Sequence, residues 1–191
     1  MRPGPLGGPG PGDVTARLYG SGMSAIDYSI LDPRELEVIR YVLRKSAKGG
    51  PGVLRRQTIP LEDGFGGPYL RDVARLLPDY MVRDFKCRNQ ESITLPEGAL
   101  PGPEWDFLQT QDWDDRETEF FSVAEDYDFQ NGQIPFYSVS RPAIWWDGRA
   151  SLIFVQWFGG LGGLQSDYIL LHYNHTLERW YRLRRVVAGT S

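Results

Sequence analysis

The chain has 191 residues, 41% hydrophobic, 24% charged and 13% aromatic, with a formal net charge of −4. That composition fits one compact domain with a tail and excludes collagen, coiled coil and wholesale disorder. A single cysteine excludes an intramolecular disulfide framework and a multi-cysteine zinc site, and the negative charge argues against general nucleic-acid binding.

Residues 1–22 hold eleven Gly or Pro and little apolar surface. They read as a disordered tail, because burial cannot offset their ordering entropy. They lack the apolar core of a signal peptide. Composition changes at Met23, which fits a translation start there and one α+β domain over 23–191.

A first helix is signalled by Asp32 as N-cap, Pro33 at its first position and Glu35 completing a capping box. Leu31 and Leu36 stand at the ends of a hydrophobic staple. Val38, Ile39, Val42 and Leu43 continue one apolar stripe until Gly49-Gly50-Pro51-Gly52. Val53 to Pro60 reads as a short strand. Pro68 to Leu77 reads as a second helix and Asp79 to Asn89 as a third, and residues 96–103 form a loop.

Residues 104–128 carry ten Asp or Glu against one Arg, a local net charge of −9. Trp113, Phe120, Ala124 and Tyr127 recur there at helical spacing, so residues 112–128 read as an amphipathic helix with an acidic outer face. Such a face is either simply solvated or steers association with a basic protein, as inhibitor and immunity proteins do. The candidate contact residues are Asp112, Asp114, Asp115, Glu125 and Asp126.

Phe136 to Trp146 is rich in β-branched and aromatic residues, and Asp147-Gly148 signals a hairpin. Arg149 to Phe158 is nearly all apolar, the mark of a central strand buried on both faces. Asp167 to Tyr173 and Trp180 to Val187 complete a four-stranded antiparallel meander, with the N-terminal helices packed on one face. Trp145 and Trp146 are adjacent on the expected strand and so face opposite sides, and an outward Trp marks a binding surface. The Gly159 to Gly163 connection, with Gly160 and Gly162, does not precede a helix or carry the Lys of a phosphate loop, but can border a small-ligand pocket beside the sheet.

Several of these features together resemble the C-terminal pattern of a family of small bacterial α+β proteins without assigned function. They are the Ser140-Arg141 pair, the apolar strand Leu152 to Phe158, the Gly-rich connection, Tyr168 to Leu171 as Tyr-x-Leu-Leu, the Trp180-led strand and the closing Ser191. Upstream, Asp84-Phe85 with Asn89, and Phe120-Phe121 ahead of Gly132, extend the likeness over residues 30–191. Pro142 and Trp145-Trp146 depart from the family's small hydrophobic strand start, and the aromatic residue before the closing Ser is missing. Many members carry an export signal that these residues do not show. The resemblance implies the fold and transfers no catalytic residue.

Other constellations are sparse. Cys87 lies between Lys86 and Arg88, which favour a thiolate, and His172 or His175 would have to supply the base of a small hydrolase. The two histidines are three apart on a strand and its turn, a poor spacing for a metal. Acidic pairs for hydrolysis are too abundant in 112–128 to single one out. Arg179, Arg182, Arg184 and Arg185 around Trp180 and Tyr181 suit single-stranded nucleic acid, but the acidic segment would repel phosphates. The sequence therefore points to a cytoplasmic, non-enzymatic binding protein without cofactor or metal. Its partner is a basic protein or, alternatively, a small ligand in a pocket near the sheet and the Gly loop; the other alternative is a small hydrolase using Cys87 or the acidic residues.

Overall fold

The computed structural model describes residues 30–61, 68–108, 134–159 and 163–190. One compact unit runs over Leu31–Ser191. It is α+β, with three helices and a mixed seven-stranded sheet among the described residues.

Helix α1 spans Pro33–Ser46 and begins as its capping residues require. Arg34 N donates to Asp32 Oδ1 at 2.7 Å, and Asp32 N donates to Glu35 Oε2 at 2.8 Å. Such caps contribute about 1 kcal/mol. Val38, Ile39, Val42 and Leu43 are buried, and Leu31 and Leu36 pack on the same core. The short strand β1 (Gly52–Leu54) follows. The strand expected to reach Pro60 ends at Leu54. The residues after it bond on two sides, with Arg55 N donating to Tyr137 O at 2.8 Å and Ile59 N to Val139 O at 2.9 Å on one and residues 93–95 on the other. Thr58 N donates to Ile93 O at 3.0 Å, and Leu95 N donates to Arg56 O at 2.7 Å.

Helix α2 (Pro68–Ala74) is shorter than expected, and α3 occupies Asp79–Arg88. Pro78 disfavours helical backbone at Leu77, so the chain turns between them. A 3₁₀ turn at Glu97–Ala99 leads to β2 (Trp105–Phe107). Gly52 is required where β1 passes β2, since a Cβ there would sit 2.7 Å from the Trp105 ring.

The segment expected as one strand, 136–146, is two: β3 (Phe136–Val139) and β4 (Ala143–Trp145). Pro142 has no N–H for a ladder, and the Arg141 N–H is diverted to Asn89 Oδ1 at 2.7 Å. Both pieces pair antiparallel with the same side of β5 (Ala150–Phe158). The turn is also longer than Asp147-Gly148. Residues 146–149 connect the Trp145–Ala150 pair, with Trp146, Asp147 and Gly148 all at positive φ. Gly148 is needed twice over, for its φ of +88° and because a Cβ would lie 2.1 Å from Arg34 Nη1.

Strands β6 (Leu164–Asn174) and β7 (Arg179–Thr190) complete the antiparallel part. The strand order is β2-β1-β3-β5-β6-β7, with β4 continuing the β3 position along β5. The α+β class is as expected, but the sheet is not the expected four-stranded meander: the first strand is broken in two. The sheet is also widened by β1 and β2, which join in parallel and make it mixed.

The helices do not lie on one face. Helix α1 packs with Ile153, Val155, Ile169 and Leu171, whereas α2 and α3 pack with Leu152, Phe154 and Tyr168. Alternate residues of β5 and β6 point to opposite faces, so these two groups are two cores on either side of the sheet. A strand as nearly all apolar as β5, with Leu152 and Phe154 on one side and Ile153 and Val155 on the other, requires cover on both sides.

Candidate functional site

The described chain contains two polar constellations of different character. The first is buried. Glu35 is 1% exposed and Arg141 2%. Arg141 Nε donates to Glu35 Oε1 at 2.9 Å, and Arg141 Nη2 donates to Glu35 Oε2 at 3.0 Å. Arg88 Nη1 adds a third bond to Glu35 Oε1 at 2.8 Å, while Arg88 Nε reaches Asp84 Oδ2 at 3.0 Å. Asp84 Oδ2 also accepts the Trp145 indole N–H at 2.9 Å. Asn89 closes the set: its Nδ2 donates to Phe85 O at 2.9 Å and to Arg141 O at 3.0 Å.

This network sits at the break between β3 and β4. There it ties α1, on one face of the sheet, to α3, on the other. It gathers Asp84, Asn89, Ser140 and Arg141 at one place in the fold. Ser140 Oγ accepts the Phe154 N–H at 2.9 Å, holding β5 to the same break. With both central charges excluded from solvent, the network is a fastening and offers no surface to a ligand.

The second constellation is open. A groove of about 940 Å³ runs between α1 and the β6–β7 hairpin. Helix α1 contributes Glu37, Arg40, Tyr41, Arg44 and Lys45; the hairpin contributes Tyr173, Glu178, Arg179, Trp180 and Tyr181. A smaller pocket of about 260 Å³ shares Tyr41 and Lys45 and adds Arg182 above Ile169 and Leu171. The hairpin is shaped by Asn174, whose Oδ1 accepts Thr176 N at 2.9 Å and Leu177 N at 3.0 Å. Four cations and two carboxylates line the larger groove.

Some of these groups are already engaged. Arg44 Nη2 donates to Pro101 O at 2.7 Å. Arg179 Nε donates to the Tyr181 hydroxyl, and its guanidinium lies 4.7 Å from that ring's centroid. Among the described residues, Arg40, Lys45 and Arg182 have no carboxylate within ion-pair distance. Trp180, 5% exposed, packs edge-on to Tyr173 at 5.1 Å, and its buried indole N–H has no acceptor. An unmatched buried donor costs about 1–3 kcal/mol.

Strand alternation divides the basic run of β7. A bulge shifts the register so that Leu171 pairs with Arg182 and Leu170 with Arg184. Arg182 therefore lies on the α1 side, whereas Arg184 lies among Val73, Leu77 and Tyr168 on the other. Arg185 is held by Asp167 at 2.8 Å. No continuous basic stripe results.

The residues singled out from the sequence are scattered. Trp145 is buried in the network, while Trp146 is 56% exposed. Trp146 stands in the 146–149 loop rather than on the strand, and its Nε1 donates to Tyr80 Oη at 2.8 Å. Cys87 is exposed on α3, and no hydrogen bond joins it to His172 or His175. Among the described residues, no three His, Cys, Asp or Glu side chains are placed to hold a metal ion. Asp112, Asp114, Asp115, Glu125, Asp126, Gly160 and Gly162 lie outside the described residues. The groove opens at the Asn174 end of β6, and the 159–163 connection joins its opposite end. Burial pushes the Tyr137 hydroxyl up to about 12 and raises Tyr168 as well, but both belong to the cores and not to the groove.

Sequence reading missed the groove, although half of its signal was present. Glu37, Arg40, Tyr41, Arg44 and Lys45 form a second stripe on α1 at helical spacing, beside the apolar one. No helix among the described residues is long and apolar enough to cross a membrane. Comparison with protein-family models, curated proteins and solved structures finds no match to this chain.

Proposed function

We propose that the protein is a non-enzymatic binding protein and that its ligand occupies the groove between α1 and the β6–β7 hairpin. The observation that carries this reading is the groove's lining: cations without carboxylate partners interleaved with Tyr41, Tyr173 and Tyr181 on a chain of net charge −4. Concave sites with a few convergent polar groups are where small ligands bind. A thermal-shift screen of small aromatic compounds tests it. A compound at about 100 times its Kd stabilises the native state by about 2.7 kcal/mol. That shift is expected to disappear in an Arg44→Glu, Lys45→Glu double variant. Hits that survive the double variant, or a screen without hits, would refute the groove.

A second reading rests on the net charge of −9 over 104–128. In it the acidic run docks a basic protein, as Asp112, Asp114 and Asp115 would allow. A pull-down from host lysate should then yield one near-stoichiometric basic protein at low salt. That protein should be lost at 0.5 M salt, where charges are screened within about 5 Å. Neutralising those three aspartates should abolish capture, and unchanged capture would remove this reading.

A further inference from the structure

The groove's chemistry is selective enough to name a ligand class. Resting on the groove reading above, we propose that it takes a small aromatic anion, with a phosphate or carboxylate as its charged group.

Arg40 and Lys45 on α1 and Arg182 on β7 approach the groove and its adjoining pocket from two walls, and none meets a carboxylate among the described residues. Guanidinium and ammonium groups are donors only. Lys45 and Arg182 line the smaller pocket from two walls and no carboxylate lines it, which suits a ligand that supplies several acceptor oxygens on one centre, the chemistry of phosphate and carboxylate. The aromatic part follows from the other groups present. Tyr41 is half-buried between the two cavities, with Lys45 Nζ 6.0 Å from its ring centroid. Phenol rings next to cations give a planar ring a stacking surface with cation–π support.

The same geometry disfavours a nucleic-acid strand. Such a strand needs a basic track along its backbone. Here Glu37 and Glu178 interrupt the cations, and Arg184 is turned to the other face of the sheet. A long polyanion would also meet the chain's net negative charge, whereas a single charged group would meet only the local cations.

The test is isothermal titration of the full chain with adenosine 5′-monophosphate, indole-3-acetate, indole, tryptamine and a short oligothymidylate. Saturable binding of the nucleotide or of indole-3-acetate is expected, and which one binds more tightly assigns the charged group. Lys45→Gln and Arg182→Gln, on the two walls of the smaller pocket, should each weaken it about tenfold. Arg184→Gln, on the opposite face, should leave it unchanged. The indole N–H resonance of Trp180, assigned by its loss in Trp180→Phe, should move on binding because it lies at the groove.

Tighter binding of indole or tryptamine, lost in the Arg44→Glu, Lys45→Glu variant, would overturn the anion class while leaving the groove as the site. Oligothymidylate binding far more tightly than the mononucleotide would overturn it in favour of a strand. No saturable binding of any probe at millimolar concentration would overturn both the class and the groove.

Discussion

Replacing Glu35 by alanine is expected to destabilise the protein by about 3–5 kcal/mol, the usual cost of removing one partner from a buried ion pair. Arg141, 2% exposed, would lose the carboxylate that takes two of its bonds. Arg88 would lose its 2.8 Å contact, and α1 would lose half of its capping box. In a chain of this length the melting temperature should fall by about 10 °C or more. Urea denaturation provides the measurement, with the midpoint falling at unchanged slope. The double variant Glu35→Met, Arg141→Met should lose less than Glu35→Ala, because it leaves no buried charge of that pair unmatched. A loss below about 1 kcal/mol in Glu35→Ala would mean that the pair behaves as a surface one.

Truncating β5 on either face should be comparably severe. Phe154→Ala is expected to cost about 3–5 kcal/mol and Ile153→Ala about 2–5 kcal/mol. The two side chains are adjacent in the chain, 1% and 0% exposed, and belong to different cores. In a sheet covered on one face only, one of the two would face water and its loss would stay within about 0.5 kcal/mol. Equilibrium unfolding of both variants separates these outcomes. Two large effects require helices on both sides, and one small effect would contradict the two-core architecture.

The local half of this fold is legible in the sequence. Asp32, Pro33 and Glu35 declare the start of α1 because capping depends on residues three apart. The stripe from Val38 to Leu43 declares its buried side for the same reason. The break between β3 and β4 was less legible. Pro142 stood in view, but Phe136 to Trp146 reads as one strand until Asn89, some fifty positions upstream, takes the Arg141 N–H. Glu35 illustrates the limit sharply. Its role as a cap is a local fact, while its place between Arg88 and Arg141 depends on elements far apart in the chain.

The groove divides in the same way. Its α1 wall is a helical stripe that spacing alone predicts, and its hairpin wall was visible as a run of arginines around Trp180 and Tyr181. That run read as one basic face, and the register shift at Leu170–Leu171 separates Arg182 from Arg184.

By itself the sequence determined the α+β class, the capped first helix, the both-face burial of β5 and the antiparallel pairing of the last strands. Each of these follows from interactions within a turn or between neighbouring strands, so each is written in residue spacing. The tertiary structure alone decided which helix covers which face, where Arg141 finds Glu35, and which cations share a wall with which aromatic rings. Those outcomes depend on contacts between distant segments, which residue spacing does not record.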